Sequence, residues 1–442
     1  MSDGHELVAL VCCDLGAIVR GRSLFASELA SVERAGVGWV PANHALTPLG
    51  PVADTNPFGS TGDLRLLADM DTRVHVDALE LVLCDIVETD GRPWECCPRE
   101  FLRETLRELE DEIGGRLRAS FEHEFTLLCQ PASERDPADR LSSALPFSLE
   151  AQLRSEPFAT RVMDALKQAG AEPERFFPEY APHQFEIPVA PAEGLASADR
   201  AVIFREVVRE VARREGRRAS FTPLLDPGEA GSGVHIHMSL VDEQGDSLLY
   251  DAARPACLSE TGARFAAGIL AHARALSALC APSPVSSARL QPHRWSAGAV
   301  CLGERNREAL LRIPPLVALA DTDPAQQLRL EYRGADASAN PYLALGALVR
   351  AGLAGVRDEL PAPPILDRDP AELDESDAER FGVGALPASL EDAMAALAED
   401  TTARAWMGPL LYDAYASVKR AEIDAASKLD LEELCERYAA IY

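Results

Sequence analysis

Nowhere in the sequence do about 18 apolar residues follow one another, so no segment reads as a helix able to cross a bilayer. The opening residues, Met1-Ser2-Asp3-Gly4-His5-Glu6, carry acids but no lysine or arginine, and so lack the basic start of a secretory leader. Both absences lead to the expectation of a cytoplasmic protein. Basic residues are scarce as well: 43 Lys and Arg stand against 71 Asp and Glu, a formal net charge of -28. A surface that acidic repels nucleic-acid phosphates and anionic lipid, so neither nucleic acid nor membrane is an expected partner. The ten cysteines form no Cys-x-x-Cys, and adjacent pairs such as Cys12-Cys13 and Cys96-Cys97 rarely bridge each other. They read as reduced, small apolar residues, not as a zinc ribbon or a redox pair. Internal repeats and low-complexity tracts are missing too.

What is present is a chain of 442 residues, 47% hydrophobic, long enough to bury at least one large core and to divide into two or three domains. Roughly the first 95 residues read as strands and turns, with strands at 7–13, 37–40 and 79–87. Residues 41–71, rich in Pro, Gly and Asp, are too long for a plain connector and read as a functional loop. Cys97-Pro98-Arg99 opens an amphipathic helix with Phe101, Leu102, Leu106, Leu109 and Ile113 on one stripe, stopped by Gly114-Gly115. A domain boundary is expected just before it, giving domains 1–96 and 97–442. Further helices are predicted at 197–215 with Ser197 as cap, at 262–279, at 341–355 and at 388–440, the last broken near Gly408-Pro409. The segment 358–385, rich in Asp, Glu and Pro, reads as an exposed connection.

The informative pattern is a set of short strands whose polar face carries reactive groups. In Phe121-Glu122-His123-Glu124-Phe125, alternation places Glu122 and Glu124 together, opposite the two phenylalanines. Val234-His235-Ile236-His237-Met238-Ser239 repeats the scheme with His235, His237 and Ser239. Leu328-Arg329-Leu330-Glu331-Tyr332-Arg333 does so with Arg329, Glu331 and Arg333, and Gln184-Phe185-Glu186-Ile187 follows Glu179. Any one of these could be the solvent face of an antiparallel sheet. Brought together, however, Glu122, Glu124, Glu179, Glu186 and Glu331 would repel one another unless cations sat among them. Oxygen-rich donors suit hard ions such as Mg²⁺ or Mn²⁺, and Mn²⁺ tolerates an imidazole such as His235. Arg289, Arg307, Arg312, Arg329 and Arg333 form a second constellation, suited to gripping carboxylate and phosphate in bidentate fashion. Carboxylates with metals and arginines together point to phosphoryl transfer.

At this point the chain resembles the glutamine synthetase superfamily. Its motifs stand in the family's order: Glu122-His123-Glu124-Phe125; Glu179 with Gln184-Phe185-Glu186; Gly231-Ser232-Gly233-Val234-His235; Asn306-Arg307 with Arg312-Ile313-Pro314; Arg329-Leu330-Glu331-Tyr332-Arg333; Ser338-Ala339-Asn340-Pro341-Tyr342. The resemblance implies an α+β chain with an N-terminal β-grasp domain and a catalytic domain built on an antiparallel half-barrel of strands flanked by helices. It implies one metal at Glu124, Glu179 and Glu186, and a second at Glu122, His235 and Glu331. Ser239 and Arg329, with His237, match nucleotide-contacting positions. Arg289 and Arg333, with the backbone at Gly231, match positions that hold the carboxylates of glutamate. Arg307 and Arg312 match those that stabilise the transferring phosphoryl group. It further implies ATP, Mg²⁺ or Mn²⁺ as cofactors, and a homo-oligomer, a dodecamer, with active sites between subunits.

The departures bear on the nucleophile. Glutamine synthetases proper carry an Asp-Gly-Ser-Ser element for ammonium, whereas this region reads Trp39-Val40-Pro41-Ala42-Asn43-His44-Ala45-Leu46. Their flap has a glutamate where Arg289-Leu290-Gln291-Pro292-His293-Arg294 is here followed by Trp295. An aromatic ring in place of a carboxylate disfavours a small cation and favours an apolar body. The expectation is therefore a glutamate–amine ligase, with Trp295 at the substrate. Authentic glutamine synthetase and a non-catalytic ring-forming relative are the competing readings. Ala230, where the family has Asn, leaves the acid substrate open.

Overall fold

The computed structural model describes residues 7–129, 145–294, 296–319 and 322–442. The architecture is α+β, with two separate sheets and helices packed against them. The first sheet holds β1 (Leu7–Cys13), β2 (Val19–Phe25), β3 (Val37–Trp39), β4 (Leu64–Ala68), β5 (Val74–Val76) and β6 (Leu79–Glu88) in the order β2-β1-β6-β4-β3, with β5 also on β6. β1 and β6 pair in parallel and the remaining pairs are antiparallel. β6 lies inside the sheet, which explains its nearly unbroken apolar run. The segment 41–71, expected to be one loop, is partly structural: Leu64-Arg65-Leu66 alternates buried and half-buried and enters the sheet as β4. A strand of five residues is too short for its periodicity to outweigh the Gly and Pro around it.

The second sheet runs β16-β13-β14-β15-β12-β7-β9-β8, with β10 and β11 also paired to β7. Its members are β7 (Arg116–Cys129), β8 (Phe177–Pro178), β9 (Gln184–Ile187), β10 (Ala192–Glu193), β11 (Arg217–Ser220), β12 (Val234–Val241), β13 (Ala299–Glu304), β14 (Ala309–Ile313), β15 (Leu330–Tyr332) and β16 (Ile365–Leu366). From β14 across to β8 all pairs are antiparallel, as the resemblance implies, but β13 pairs in parallel with both β14 and β16. The chain returns between β13 and β14 within a few residues, with Arg305 at φ +57°. Gly303 makes that return possible, because a Cβ there would lie 2.6 Å from the Asn306 Cβ. The segment 358–385 is likewise stitched to this edge: β16 pairs with β13, and Val300 and Gly384 exchange backbone hydrogen bonds of 2.8 and 2.9 Å.

The longer helices are α1 (Pro98–Ile113), α2 (Phe158–Gln168), α3 (Leu195–Arg214), α4 (Glu260–Ala271), α5 (Ala273–Cys280), α6 (Pro341–Arg357), α7 (Leu390–Glu399), α8 (Thr401–Ala426) and α9 (Leu431–Ala439). α1 starts on Pro98 and ends on a left-handed Gly114, as its sequence signals predict. Gly194, not Ser197, occupies the N-cap of α3, and the Ser197 hydroxyl donates back to the Gly194 carbonyl at 2.8 Å. The helix predicted at 262–279 divides at His272, and that at 388–440 comprises α7, α8 with its break at Gly408-Pro409, and α9. No helix is long and apolar enough to cross a membrane among the described residues. All nine cysteines whose thiols are described are free.

Arg99, in the first turn of α1, ties these parts together. Its guanidinium donates to Asp199 of α3 at 2.8 and 2.9 Å, to Asp85 of β6 at 2.9 Å and to Asp69 at 2.6 Å. Tyr342 of α6 also donates to Asp199, at 2.7 Å. Truncating one partner of a buried charge network leaves the others uncompensated. Arg99→Met is expected to destabilise the protein by about 3–5 kcal/mol, and Arg99→Met/Asp199→Leu to recover part of that loss. Urea denaturation midpoints of the two variants check this.

Candidate active site

Register in the second sheet brings the polar faces together. His235 of β12 pairs with Glu122 of β7, His237 of β12 with Glu331 of β15, and Glu331 with Arg312 of β14. On the other side of β7, Glu124 pairs with Glu186 of β9. Alternation turns Phe121, His123 and Phe125 to the opposite face, where His123 stacks on Phe204 at 4.7 Å. Burial, helped by Arg205, pushes the His123 imidazole down to about 3, so it stays neutral in the core. This separates His123 from the two histidines that face the carboxylates.

The two ends of the carboxylate row differ in electrostatics. Glu331 is almost fully buried and gripped from both oxygens, by Arg312 at 2.7 Å and by Arg333. Burial alone would raise its pKa, but His235, His237, Arg333 and Arg312 outweigh it and hold the carboxyl at about 2. Glu122 meets His237 Nε2 at 3.0 Å and His235 Nδ1 at 3.5 Å. There too burial is outweighed, by His237 first, and the carboxyl lies well below its usual range. At the far end no arginine balances the charge to the same degree. Burial and then the neighbouring Glu124 push Glu179 up to about 7. Burial and then Glu122, Glu124 and Glu179 push Glu186 well above the ordinary carboxylate range.

These donors fit a hard divalent cation. Carboxyls whose pKa values are raised by burial, and further by facing one another, are relieved by such an ion, and their oxygens are the ligands it prefers. Among the described residues no group of three or more His, Cys, Asp or Glu side chains stands as a finished ion cage. At Glu331 one guanidinium engages each carboxylate oxygen, Arg312 on Oε2 and Arg333 on Oε1, which leaves one lone pair on each for an ion. His235 is kept neutral by burial and by Arg333, which leaves a ring lone pair available to a metal.

The arginines divide. Arg329 donates through Nε to His237 Nδ1 at 3.1 Å, so His237 presents its other ring nitrogen, as N–H, to Glu122. Arg333 donates to the Arg307 carbonyl at 3.0 Å, while the Arg307 side chain is exposed. Arg289 is buried beneath the Gly231–Gly233 segment and donates to the Ala335 carbonyl at 2.8 Å. A Cβ at Gly231 would lie 2.2 Å from the Pro223 carbonyl oxygen and 2.6 Å from Arg289 Cγ, so no other residue fits there. Ser239 is half-buried two residues beyond His237 on the same strand face. Trp295 lies outside the described residues.

Two residues of this neighbourhood were not singled out from sequence. Gln184, buried on the same face of β9 as Glu186, donates to Glu124 at 3.1 Å; its alternation with Glu186 was the available signal. Asp336 lies buried beside Arg289, with one carboxylate oxygen unpartnered, and no local pattern marks it.

Residues 95–436 match the glutamine synthetase catalytic domain, and residues 2–94 match the glutamine synthetase N-terminal domain. The chain belongs to the glutamine synthetase family. A gamma-glutamylpolyamine synthetase of Streptomyces coelicolor is 32% identical to it, over 98% of this chain and 93% of its own length. A glutamine synthetase of Methanocaldococcus jannaschii is 30% identical, over 82% of this chain and 78% of its own length. Among solved structures, a glutamine synthase homolog superposes with a TM-score of 0.90 at 44% identity, covering 100% of this chain and 99% of that one. GmaS in complex with ADP superposes with a TM-score of 0.82 at 26% identity, covering 97% and 95%. Membership of this family makes the chain an ATP-dependent carbon–nitrogen ligase, of a family that works with ATP and divalent metal.

The raised carboxyls set a pH dependence. Below about pH 7 Glu179 carries a proton that an ion must displace, and Glu186 does so above the ordinary range. Apparent Mn²⁺ affinity is therefore expected to rise between about pH 5.5 and 8, by up to about tenfold per pH unit for each proton displaced. Without metal the sign reverses for stability: a carboxyl with a raised folded pKa supports the fold at low pH and loses that contribution as pH rises toward 7. Melting temperatures with and without Mn²⁺ across this range check both, the gap between them widening with pH.

Proposed function

We propose that this ligase phosphorylates the γ-carboxylate of glutamate and couples it to an organic amine, giving a γ-glutamylamide, ADP and phosphate. The observation that carries the reading is a contrast within one sequence. The carboxylates, histidines and arginines needed for phosphoryl transfer are all retained, whereas Trp295 stands at the flap glutamate and residues 39–46 lack the Asp-Gly-Ser-Ser element. The resemblance to a gamma-glutamylpolyamine synthetase supports it.

In this reading Glu124, Glu179 and Glu186 would hold one Mg²⁺ or Mn²⁺, and Glu122, His235 and Glu331 a second. Bound there, the ions would offset the negative charge that builds on the phosphoryl oxygens. Arg289, Arg333 and the Gly231 backbone hold the acid substrate, and Arg329, His237 and Ser239 hold the nucleotide. A γ-carboxylate oxygen attacks the terminal phosphorus of ATP and ADP departs, leaving an acyl phosphate. Arg307 and Arg312 counter the charge of the phosphoryl group as it moves. The amine nitrogen then attacks the acyl carbon, loses a proton, and phosphate leaves with the C–O electron pair. Trp295 gives the amine a flat apolar wall, worth about 1–3 kcal/mol when a chain or ring buries against it. Ammonia as the nucleophile is the second reading, favoured by the likeness to glutamine synthetases.

ADP release with glutamate and a panel of amines, ammonia included, decides between them. A primary amine with an apolar portion is expected to show a far higher kcat/KM than ammonia, and Trp295→Glu to weaken amine use. A clear preference for ammonia would return the chain to the glutamine synthetases proper. The assembly is proposed to be a ring, a dodecamer with active sites between subunits. Light scattering is expected to give about twelve times the mass of 47.7 kDa, and a monomer mass would refute it.

A further inference from the structure

We infer that Gln184 is the positioning residue that joins metal binding to binding of the acid substrate at this site. The inference rests on the reading that Glu124 holds a divalent ion and that the Gly231 segment lies against the substrate carboxylate.

Gln184 is the first residue of β9 and is buried, 3% exposed. Its side-chain amide has partners on every side. Nε2 lies 3.1 Å from Glu124 Oε2, 3.0 Å from the Gly231 carbonyl oxygen and 3.1 Å from Ser232 Oγ. Oε1 accepts the Ala181 N–H at 3.0 Å. These partners fix the amide orientation, since the flipped form would set its oxygen against the Glu124 carboxylate. The backbone of Gln184 accepts the Glu179 N–H at 2.8 Å and donates to Ala181 at 3.2 Å. One residue thus touches three pieces of the site: the Glu124 carboxylate, the Gly231–Gly233 segment, and the turn that carries Glu179.

The consequence for Glu124 is geometric. Its Oε2 accepts from both Gln184 Nε2 and the Gly233 N–H, the latter at 2.9 Å. With that oxygen held by two donors, Oε1 is the one left for an ion shared with Glu179 and Glu186. The consequence for the Gly231 segment is competitive. An amide nitrogen has two hydrogens, and here three acceptors lie within reach of it. When an ion draws charge from Glu124, that oxygen becomes a poorer acceptor and the hydrogens shift toward the Gly231 carbonyl and Ser232. The pose of the substrate-facing segment therefore responds to the ion.

Mn²⁺ titration of the purified full chain, without nucleotide, tests this by calorimetry. Gln184→Met keeps length and removes the donors; Gln184→Asn keeps the amide but falls one methylene short. Both are expected to weaken Mn²⁺ binding by about 10–100-fold, and to raise the KM for glutamate by more than they lower kcat. A purely structural role would lower the melting temperature and leave the Mn²⁺ affinity of the folded protein unchanged. Affinity within about twofold of the parent in either folded variant overturns the inference. If Gln184→Met does not fold, Gln184→Asn carries the test. Glu124→Gln is the control: loss of Mn²⁺ binding there, with none in the Gln184 variants, removes only this inference. Unchanged binding in Glu124→Gln removes the ion-holding reading itself and the inference with it.

Discussion

The repulsion among carboxylates held on facing strands is the constraint around which the site is built. Glu122, Glu124, Glu186 and Glu331 are fixed by backbone pairing across β9, β7, β12 and β15, so none can swing far from the others. Like charges buried in this way cost stability unless cations meet them. The under-face of the same strands offsets that cost. Phe125 packs between Phe221 at 5.5 Å and Phe185 at 6.1 Å, and further rings surround them. Strand alternation makes the two faces inseparable: the residues that keep Glu122 and Glu124 in place are Phe121 and Phe125 beside them in sequence.

The row is compensated unevenly, and that unevenness has a chemical use. Arg312 and Arg333 permanently answer Glu331, and Glu122 lies against the rings of His235 and His237, whereas burial and neighbouring carboxylates push the carboxyls of Glu179 and Glu186 up so that they retain protons. In the proposed function the first end would meet phosphate, which guanidiniums grip well. The second would trade protons for an ion.

Much of this was legible in the chain. The strands bearing Glu122 and Glu124, Glu186, His235 and His237, and Glu331 were marked by polar groups at every second position, whereas β14 with Arg312 was not, and the motif order carried the family. What local patterns could not supply were relations between distant segments. Nothing near Arg99 shows that Asp69, Asp85 and Asp199 converge on it, and nothing near Glu331 shows that Arg312 and Arg333 would engage both of its oxygens. β4 was hidden because five residues within a Pro- and Gly-rich stretch give too little periodicity. Gln184 was passed over because an amide among carboxylates looks inert until its partners are seen.

The net charge of -28 sets the last condition on how the site works. ATP is an anion, as is the glutamate of the proposed function, and a chain with 28 excess acids repels anions at a distance. In the proposed function the arginines beside the carboxylate row would reverse that field locally. Arg312, Arg329 and Arg333 each contact a member of the row or the histidines between them. An organic amine near neutral pH arrives as a cation, and for it the same surface is attractive. In the proposed function the acidic exterior and the arginines of the site would sort the substrates by charge: the exterior would draw in the nucleophile, and the arginines would hold the acid and the nucleotide.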